Sequence, residues 1–479
     1  MSQHTTFPNE LWAEICSYLP SDALRNLSST HHPLYDLVRP LGFTEYKVYP
    51  YPYDFYPQKR KLDNAIDRLA FYSSPKMAPN IRTCTARWNP QKWQGSPQRE
   101  DQGSEHVLMK AFFAAIPKFT ALQKFYADRI QFTQTGLTNL CALPALRLVD
   151  LSSCTVANGE HIDTASLTLR VESFTSCYDY QMNDLWDSLL SRTTLRYLDF
   201  ADLKSVKDLQ PFPSVHTLKL REFPMMPYDI FSFFSRFPNL RIFRSEYYGV
   251  LRNLSPAQEA SIFPILEEYT GAYENLRIFI LRPTLTHIEL DSGFSVQNLL
   301  KTVLGHTSFP NITSFKARFT SDVTEEFSQM EFNALLTLFP LLSTLDLTLI
   351  PDAQEDGGFT PQATAFLSNL PSNALLPRTL KTLLLEWDFP YEYGSTESAM
   401  GHDPAAPPPE DIPDFPSLRA ALRQRCPELT HIMLNGYHFG YVWWKTDWVW
   451  EAVAHSYDEL GPIQEKRNER MHGPPVLLS

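Results

Sequence analysis

LRYLDF, Leu195–Phe200, returns about twenty residues later as VHTLKL, Val215–Leu220, and this pair decides the fold. The same apolar-x-x-apolar-x-apolar pattern recurs as LRLVDL (Leu146–Leu151), LTHIEL (Leu285–Leu290), LSTLDL (Leu342–Leu347), LKTLLL (Leu380–Leu385) and LTHIML (Leu429–Leu434). Weaker copies begin at Ile81, Leu122, Val171, Leu240 and Ile312. The last two apolar positions of each copy lie two residues apart, so on a strand they share one face. Pro79, Pro144, Pro213, Pro238, Pro310, Pro340 and Pro427 each stand two residues ahead of a first apolar position. A proline pushes the residue before it out of helical conformation, so each one closes a preceding helix.

Helical patterns lie between the copies, over Asp184–Leu190, Tyr228–Phe234 and Val296–Leu304. First apolar positions 122, 146, 171, 195, 215 and 240 are about 20 to 25 residues apart, and later spacings stretch to about 27–49. One strand plus one helix per unit, stacked on neighbours, gives an α/β chain folded as a curved solenoid with a parallel sheet. Strands should end near Leu151, Phe200, Leu220, Leu290, Leu347, Leu385 and Leu434. Leu198, Leu218, Ile288, Leu345 and Leu383 should be fully buried. A doubly wound sheet would need a phosphate-binding loop at a strand end, and the chain has no G-x-G-x-x-G or P-loop pattern.

The first forty residues are organised differently. Pro8 suits a first helical turn. Leu11, Ile15 and Leu19 recur at four-residue spacing on one helical face. Pro20 stops that helix, and Ser21 and Asp22 offer N-cap oxygens to the next, where Leu24 and Leu27 begin an apolar stripe. A unit of this size cannot bury a self-sufficient core, so its apolar face must meet something else.

These residues resemble an F-box, on Phe7-Pro8, Glu10-Leu11, Ile15, Tyr18-Leu19-Pro20, Asp22-Ala23-Leu24 and the exit Val38-Arg39-Pro40. Phe7 stands where the family usually has Leu, and His31-His32-Pro33-Leu34-Tyr35 where it often has Cys-x-x-Trp. The repeats in turn resemble leucine-rich repeats, with Leu151-Ser-Ser-Cys154 preserving the position after the strand. Together the two parts are similar to the F-box/leucine-rich-repeat proteins common in fungi. That resemblance implies a non-catalytic substrate receptor of a Skp–cullin–F-box ubiquitin ligase. Phe7, Pro8, Leu11, Ile15, Leu19, Pro20 and Leu24 would meet the Skp adaptor, and through it a cullin, and should stay substantially exposed. The repeat domain would hold a protein target. The alternatives are an interaction scaffold that recruits no ligase, and an enzyme on an unrecognised α/β fold. Expected boundaries are 1–46 for the F-box-like helical module and 47–110 for a linker and cap with the first weak strand. The repeat solenoid follows at 111–440, with a C-terminal cap and tail at 441–479.

Composition narrows the partners. A net charge of −12 argues against a nucleic-acid binder. No run of about eighteen apolar residues exists to span a membrane; Leu335–Ile350 is the richest stretch and contains Pro340, Ser343 and Asp346. The N-terminus lacks a basic region followed by an apolar core, so no signal peptide is expected. Six scattered cysteines without C-x-x-C spacing read as buried thiols in a reducing compartment, cytoplasmic or nuclear. No H-E-x-x-H, G-x-S-x-G or zinc spacing occurs, so no cofactor, metal or catalytic residue is expected.

Binding chemistry falls on the strand residues between the core positions: Lys124, Tyr126, Asp128, Asp150, Tyr197 and Asp199, then His287, Glu289, Asp291, Lys316 and Arg318. Lys219, Arg221 and Arg244 read as a basic patch for an acidic or phosphorylated target, with Tyr197 and Glu289 as further contacts. Arg87–Glu105, Pro351–Pro361 and Tyr391–Pro413 read as insertions. Trp443, Trp444, Trp448 and Trp450 read as a hydrophobic cap over the last repeat.

Overall fold

A computed structural model of the chain describes residues 9–19, 23–24, 26–27, 38, 41–49, 59–87, 107–156, 162–177, 183–200, 210–221, 230–246, 251, 254–303, 308–320, 329–350, 362–387, 414–436, 439–445 and 449–454. Phe7, Pro8, Pro20, His31 and His32 lie outside these residues, as do Trp448 and nearly all of the three insertions. The chain divides into two compact units, Met1–Asn239 and Leu240–Ser479, and the division falls inside the stretch expected to be one array.

The first unit runs α1 (Asn9–Ser17), β1 (Glu45–Val48), α2 (Lys59–Tyr72), β2 (Thr83–Arg87), α3 (Val107–Ala115), β3 (Lys124–Asp128), β4 (Gln131–Phe132), α4 (Gln134–Cys141), β5 (Leu148–Ser152), β6 (Thr155–Val156), β7 (Ser173–Cys177), α5 (Asn183–Leu189), β8 (Tyr197–Phe200), β9 (Thr217–Leu220) and α6 (Ile230–Phe234). β1, β2, β3, β5, β7, β8 and β9 pair in that order, all parallel. β4 and β6 form a separate parallel pair. β1 begins inside the expected helical module and continues past residue 46, so that boundary cuts a strand of the sheet.

The second unit runs β10 (Ile242–Ser245), α7 (Pro256–Ser261), β11 (Glu268–Gly271), α8 (Leu276–Phe279), β12 (His287–Phe294), α9 (Val296–Thr302), β13 (Ser314–Thr320), α10 (Gln329–Leu338), β14 (Thr344–Ile350), α11 (Gln362–Asn373), β15 (Thr382–Trp387), α12 (Phe415–Arg425), β16 (His431–Asn435), β17 (Gly440–Lys445) and β18 (Val449–Ala454). β10 through β16 pair successively in parallel. β17 and β18 then turn back antiparallel. β11 is a unit that the spacing missed, and it divides the long gap between Leu240 and Leu285. β12 runs past Leu290 to Phe294 through an irregularity in its pairing.

One backbone device sets the register in both units. Within each unit, the carbonyl just before a main-sheet strand that has a parallel successor accepts two N–H groups from the next repeat. Gln123 O receives the N–H of Arg147 and of Leu148, at 2.8 and 3.0 Å, and Ser343 O receives those of Lys381 and Thr382, also at 2.8 and 3.0 Å. The same residue numbers of successive repeats therefore stand side by side. Tyr46, Cys84, Phe125, Val149, Phe174, Leu198 and Leu218 form one buried column in the first unit. Phe243, Tyr269, Ile288, Phe315, Leu345, Leu383 and Ile432 form the matching column in the second. The five leucine and isoleucine positions expected to be buried are all buried. Each such side chain contributes about 1.5–3 kcal/mol by leaving water.

Helices cover the inward face, where Phe112 of α3 stacks on Phe125, Trp186 of α5 packs on Phe174 and Phe366 of α11 meets Trp387. In the first unit a buried charge cluster fastens this side. Asp187 Oδ1 accepts from Arg236 Nη2 at 2.5 Å, and its Oδ2 accepts from Arg192 at 3.0 Å. Both guanidiniums lie against Phe212, at 3.8 Å for Arg192 and 4.9 Å for Arg236. Charges taken out of water survive only with such close pairing and hydrogen bonding.

The expected tryptophan cap divides in two. Neighbouring strand residues point to opposite faces, so Trp443 is buried beneath Arg419 and Arg423 of α12. Trp444 sits on the other face beside the His431 ring, at 5.1 Å. The array stops because Thr430 O, the carbonyl that would receive another repeat, takes the Lys445 N–H of β17.

Candidate functional site

Two surfaces of the described residues bear on the expected sites: the outer side of α1 and the outward strand faces.

In α1, Leu11 and Ile15 are each 43% exposed, and Tyr18 just beyond is 81% exposed. Cys16 turns the other way and joins Leu24 and Val38 in a small buried cluster, with Leu19, Leu27 and Leu41 packed against it. Leu24 is only 4% exposed, which corrects the expectation that it stays open. Four-residue spacing drifts around a helix of 3.6 residues per turn, and Leu19 lies past the helix end. Leu19 and Leu24 thus serve the module's own core, while Leu11 and Ile15 face out.

On the first unit's outward face, cross-strand neighbours decide the electrostatics. Asp199 is directly beside Lys219, and Arg221 reaches back to it. Arg221 Nε and Nη2 donate to the two Asp199 oxygens at 3.0 and 2.8 Å, leaving the carboxylate 2% exposed. Arg221 is therefore committed to a bidentate pair. Asp128 is held by Arg87 at 3.4 Å and Arg129 at 4.0 Å. The Asp150 side chain makes no hydrogen bond or ion pair among the described residues. Burial raises its carboxyl above the ordinary range; the Arg221 charge pulls it down and the Asp199 charge pushes it up. Burial also pushes the Cys177 thiol on this face up to about 11, so it stays protonated at neutral pH. Thr85, Arg87, Tyr126, Ala127, Asp128, Asp150 and Ser152 line a surface cavity of about 330 Å³ over β2, β3 and β5. Tyr197 lies half-buried at the start of β8.

The second unit's outward face is similarly cross-linked. Glu289 accepts Lys316 Nζ at 2.7 Å and pairs with Thr270 at 3.4 Å. Arg244 lies 3.8 Å from Glu268. Asn435 donates to Glu386 at 2.9 Å. The arginines expected to form a basic patch each face a carboxylate within their own unit, Arg221 on Asp199 and Arg244 beside Glu268. The linear sequence names the outward residues but not their lateral neighbours, and Glu268 was hidden because its strand was missed.

Among the described residues, no group of three or more His, Cys, Asp or Glu side chains could hold a metal ion. No helix among them is long and apolar enough to cross a membrane. No protein-family model matches the chain, and no curated protein matches its sequence.

Proposed function

We propose that the chain is a non-catalytic protein receptor of the F-box/leucine-rich-repeat kind. Its N-terminal helix docks on a Skp adaptor, and its strand face holds a protein target for ubiquitination. The observation that carries this reading is the outer side of α1. Leu11, Ile15 and Tyr18 form an apolar strip in water beside a module whose described buried cluster is Cys16, Leu24 and Val38. Exposed apolar clusters of this kind mark partner sites. The parallel array supports the second half, because it presents an in-register row of polar side chains on its outward face. Holding a target near a ubiquitin-loaded enzyme acts through effective concentration. Such a receptor would work in the cytoplasm or nucleus.

A second reading has its own observation. Leu19 and Leu24 pack inside the module, as they would if these helices only capped the array of a scaffold. Co-expression with a Skp adaptor separates the two. The receptor reading expects stable co-purification, lost on replacing Leu11 and Ile15 by Asp while the array stays folded. Absence of co-purification, or equal capture by the double variant, would leave the scaffold.

A further inference from the structure

The outward carboxylates of the first unit are not equivalent. Asp199 is neutralised by Arg221, and Asp128 by Arg87. Glu45 at the edge strand has Lys47 at 3.2 Å. Asp150 is left over. It is half-buried, it sits centrally on the face between β3 and β7, and its side chain has no hydrogen bond or ion pair among the described residues. Asp150 lines a cavity of about 330 Å³ together with Tyr126, Thr85, Ser152, Ala127 and the Arg87–Asp128 pair. A carboxylate left unpaired in such surroundings is a poor contributor to folding. A cation placed beside it would gain a charge-assisted hydrogen bond, and the neighbouring tyrosine offers an aromatic surface on which ammonium or guanidinium groups rest favourably. Among the described residues, the cation in the lining, Arg87, is engaged by Asp128.

We propose that this cavity receives a lysine or arginine side chain of the target, with Asp150 as its counter-ion and Tyr126 as its wall. The target segment is then basic, the opposite sign to the one suggested by the lysines and arginines of the face read in isolation. The proposal rests on the strand face being the target surface and names the chemistry read there.

Saturation-transfer NMR on the full chain tests it. The probes are the peptide acetyl-Gly-Gly-Lys-Gly-Gly-amide and its Arg, Nε-acetyl-Lys and Glu counterparts at millimolar concentration. Signal is expected on the Lys and Arg side-chain protons, with none for the acetylated or Glu peptides. Asp150→Asn should reduce it about tenfold, the effect of one charge-assisted hydrogen bond. Tyr126→Ala should reduce it less, and Tyr126→Phe should retain it. Thermal unfolding verifies that each variant is folded. Equal signal for lysine and acetyl-lysine, or no signal at all, overturns the pocket. A signal unmoved by Asp150→Asn but lost in Glu289→Gln overturns the pocket and keeps the strand face as a binding surface. A signal unmoved by both removes the strand-face reading as well. Adaptor co-purification, which depends on α1, should be unchanged by Asp150→Asn.

Discussion

The N-terminal helices and the strand array solve the problem of burial in opposite ways. In the array every unit donates three inward positions, and the next unit covers them, so columns such as Ile288, Phe315, Leu345 and Leu383 are closed from all sides. In the N-terminal module the buried cluster among the described residues is Cys16, Leu24 and Val38, and larger apolar residues of α1 remain in water. The difference teaches where stability and where recognition reside. A closed column resists change, and an open strip tolerates it until a partner arrives.

Leu345→Ala should expose that contrast most. Truncating a fully buried leucine in a column without slack should cost about 2–5 kcal/mol, read as a shift in the denaturant midpoint. A loss below about 1 kcal/mol would mean the array is loosely packed and the comparison false. Arg236→Ala comes next. It removes one of the two cations on buried Asp187, and a loss of about 3 kcal/mol is expected, at the low end for breaking a buried pair because Arg192 remains. No measurable change would show that the cluster is not closed to water.

Asp150 gives a smaller effect with a distinct pH signature. Its folded carboxyl is raised above the ordinary 3.8, mainly by burial, so the folded chain holds that proton more tightly than the unfolded chain. Below 3.8 both states are protonated and the residue makes no difference. As pH rises through 3.8 and then through the folded value, a stability deficit develops and persists. Asp150→Asn lacks the deficit, so it should melt higher than the parent at neutral pH, with the gap closing in acid. A gap that widens in acid would reverse the assigned direction. Smallest of all is Leu11→Ala with Ile15→Ala, which should change folding stability by no more than about 0.5 kcal/mol while weakening adaptor capture. A large loss of stability would show that α1 is part of a closed core after all.

How far the fold could be read beforehand depended on which residues filled the inward columns. Where the second and third positions are both aliphatic, as in Leu218 with Leu220 or Leu345 with Leu347, the strand was legible. In several repeats an aromatic second position is followed by a small third one: Phe125 with Ala127, Phe174 with Ser176, Phe315 with Ala317. There the leucine pattern fades, and these were among the weak copies. Tyr269 with Gly271 carries the exchange furthest. A Cβ on Gly271 would meet the Tyr269 hydroxyl at 3.0 Å and the Ser245 carbonyl at 3.2 Å, so only glycine fits, and the strand passed unnoticed. The closing hairpin was hidden for another reason. Tyr441, Val442, Trp443 and Trp444 are apolar on both faces, so no alternation marks them as a strand. Of the candidate site, the outward identities of Asp150 and Arg221 were visible. Their unequal fates were not, because pairing across strands depends on residues twenty or more positions away.

The carbonyl that accepts two N–H groups works as punctuation. It marks where each strand's frame starts, and it does so by backbone alone, indifferent to the side chain that bears it and to the length of chain spent before the next mark. Thr313, Ser343 and Lys381 serve alike, across first-apolar spacings that grow from about 30 to about 49 residues. Insertions between strands can therefore lengthen, shorten or change wording at the rim without shifting a single letter on the face. The surface can keep its text while its margins evolve.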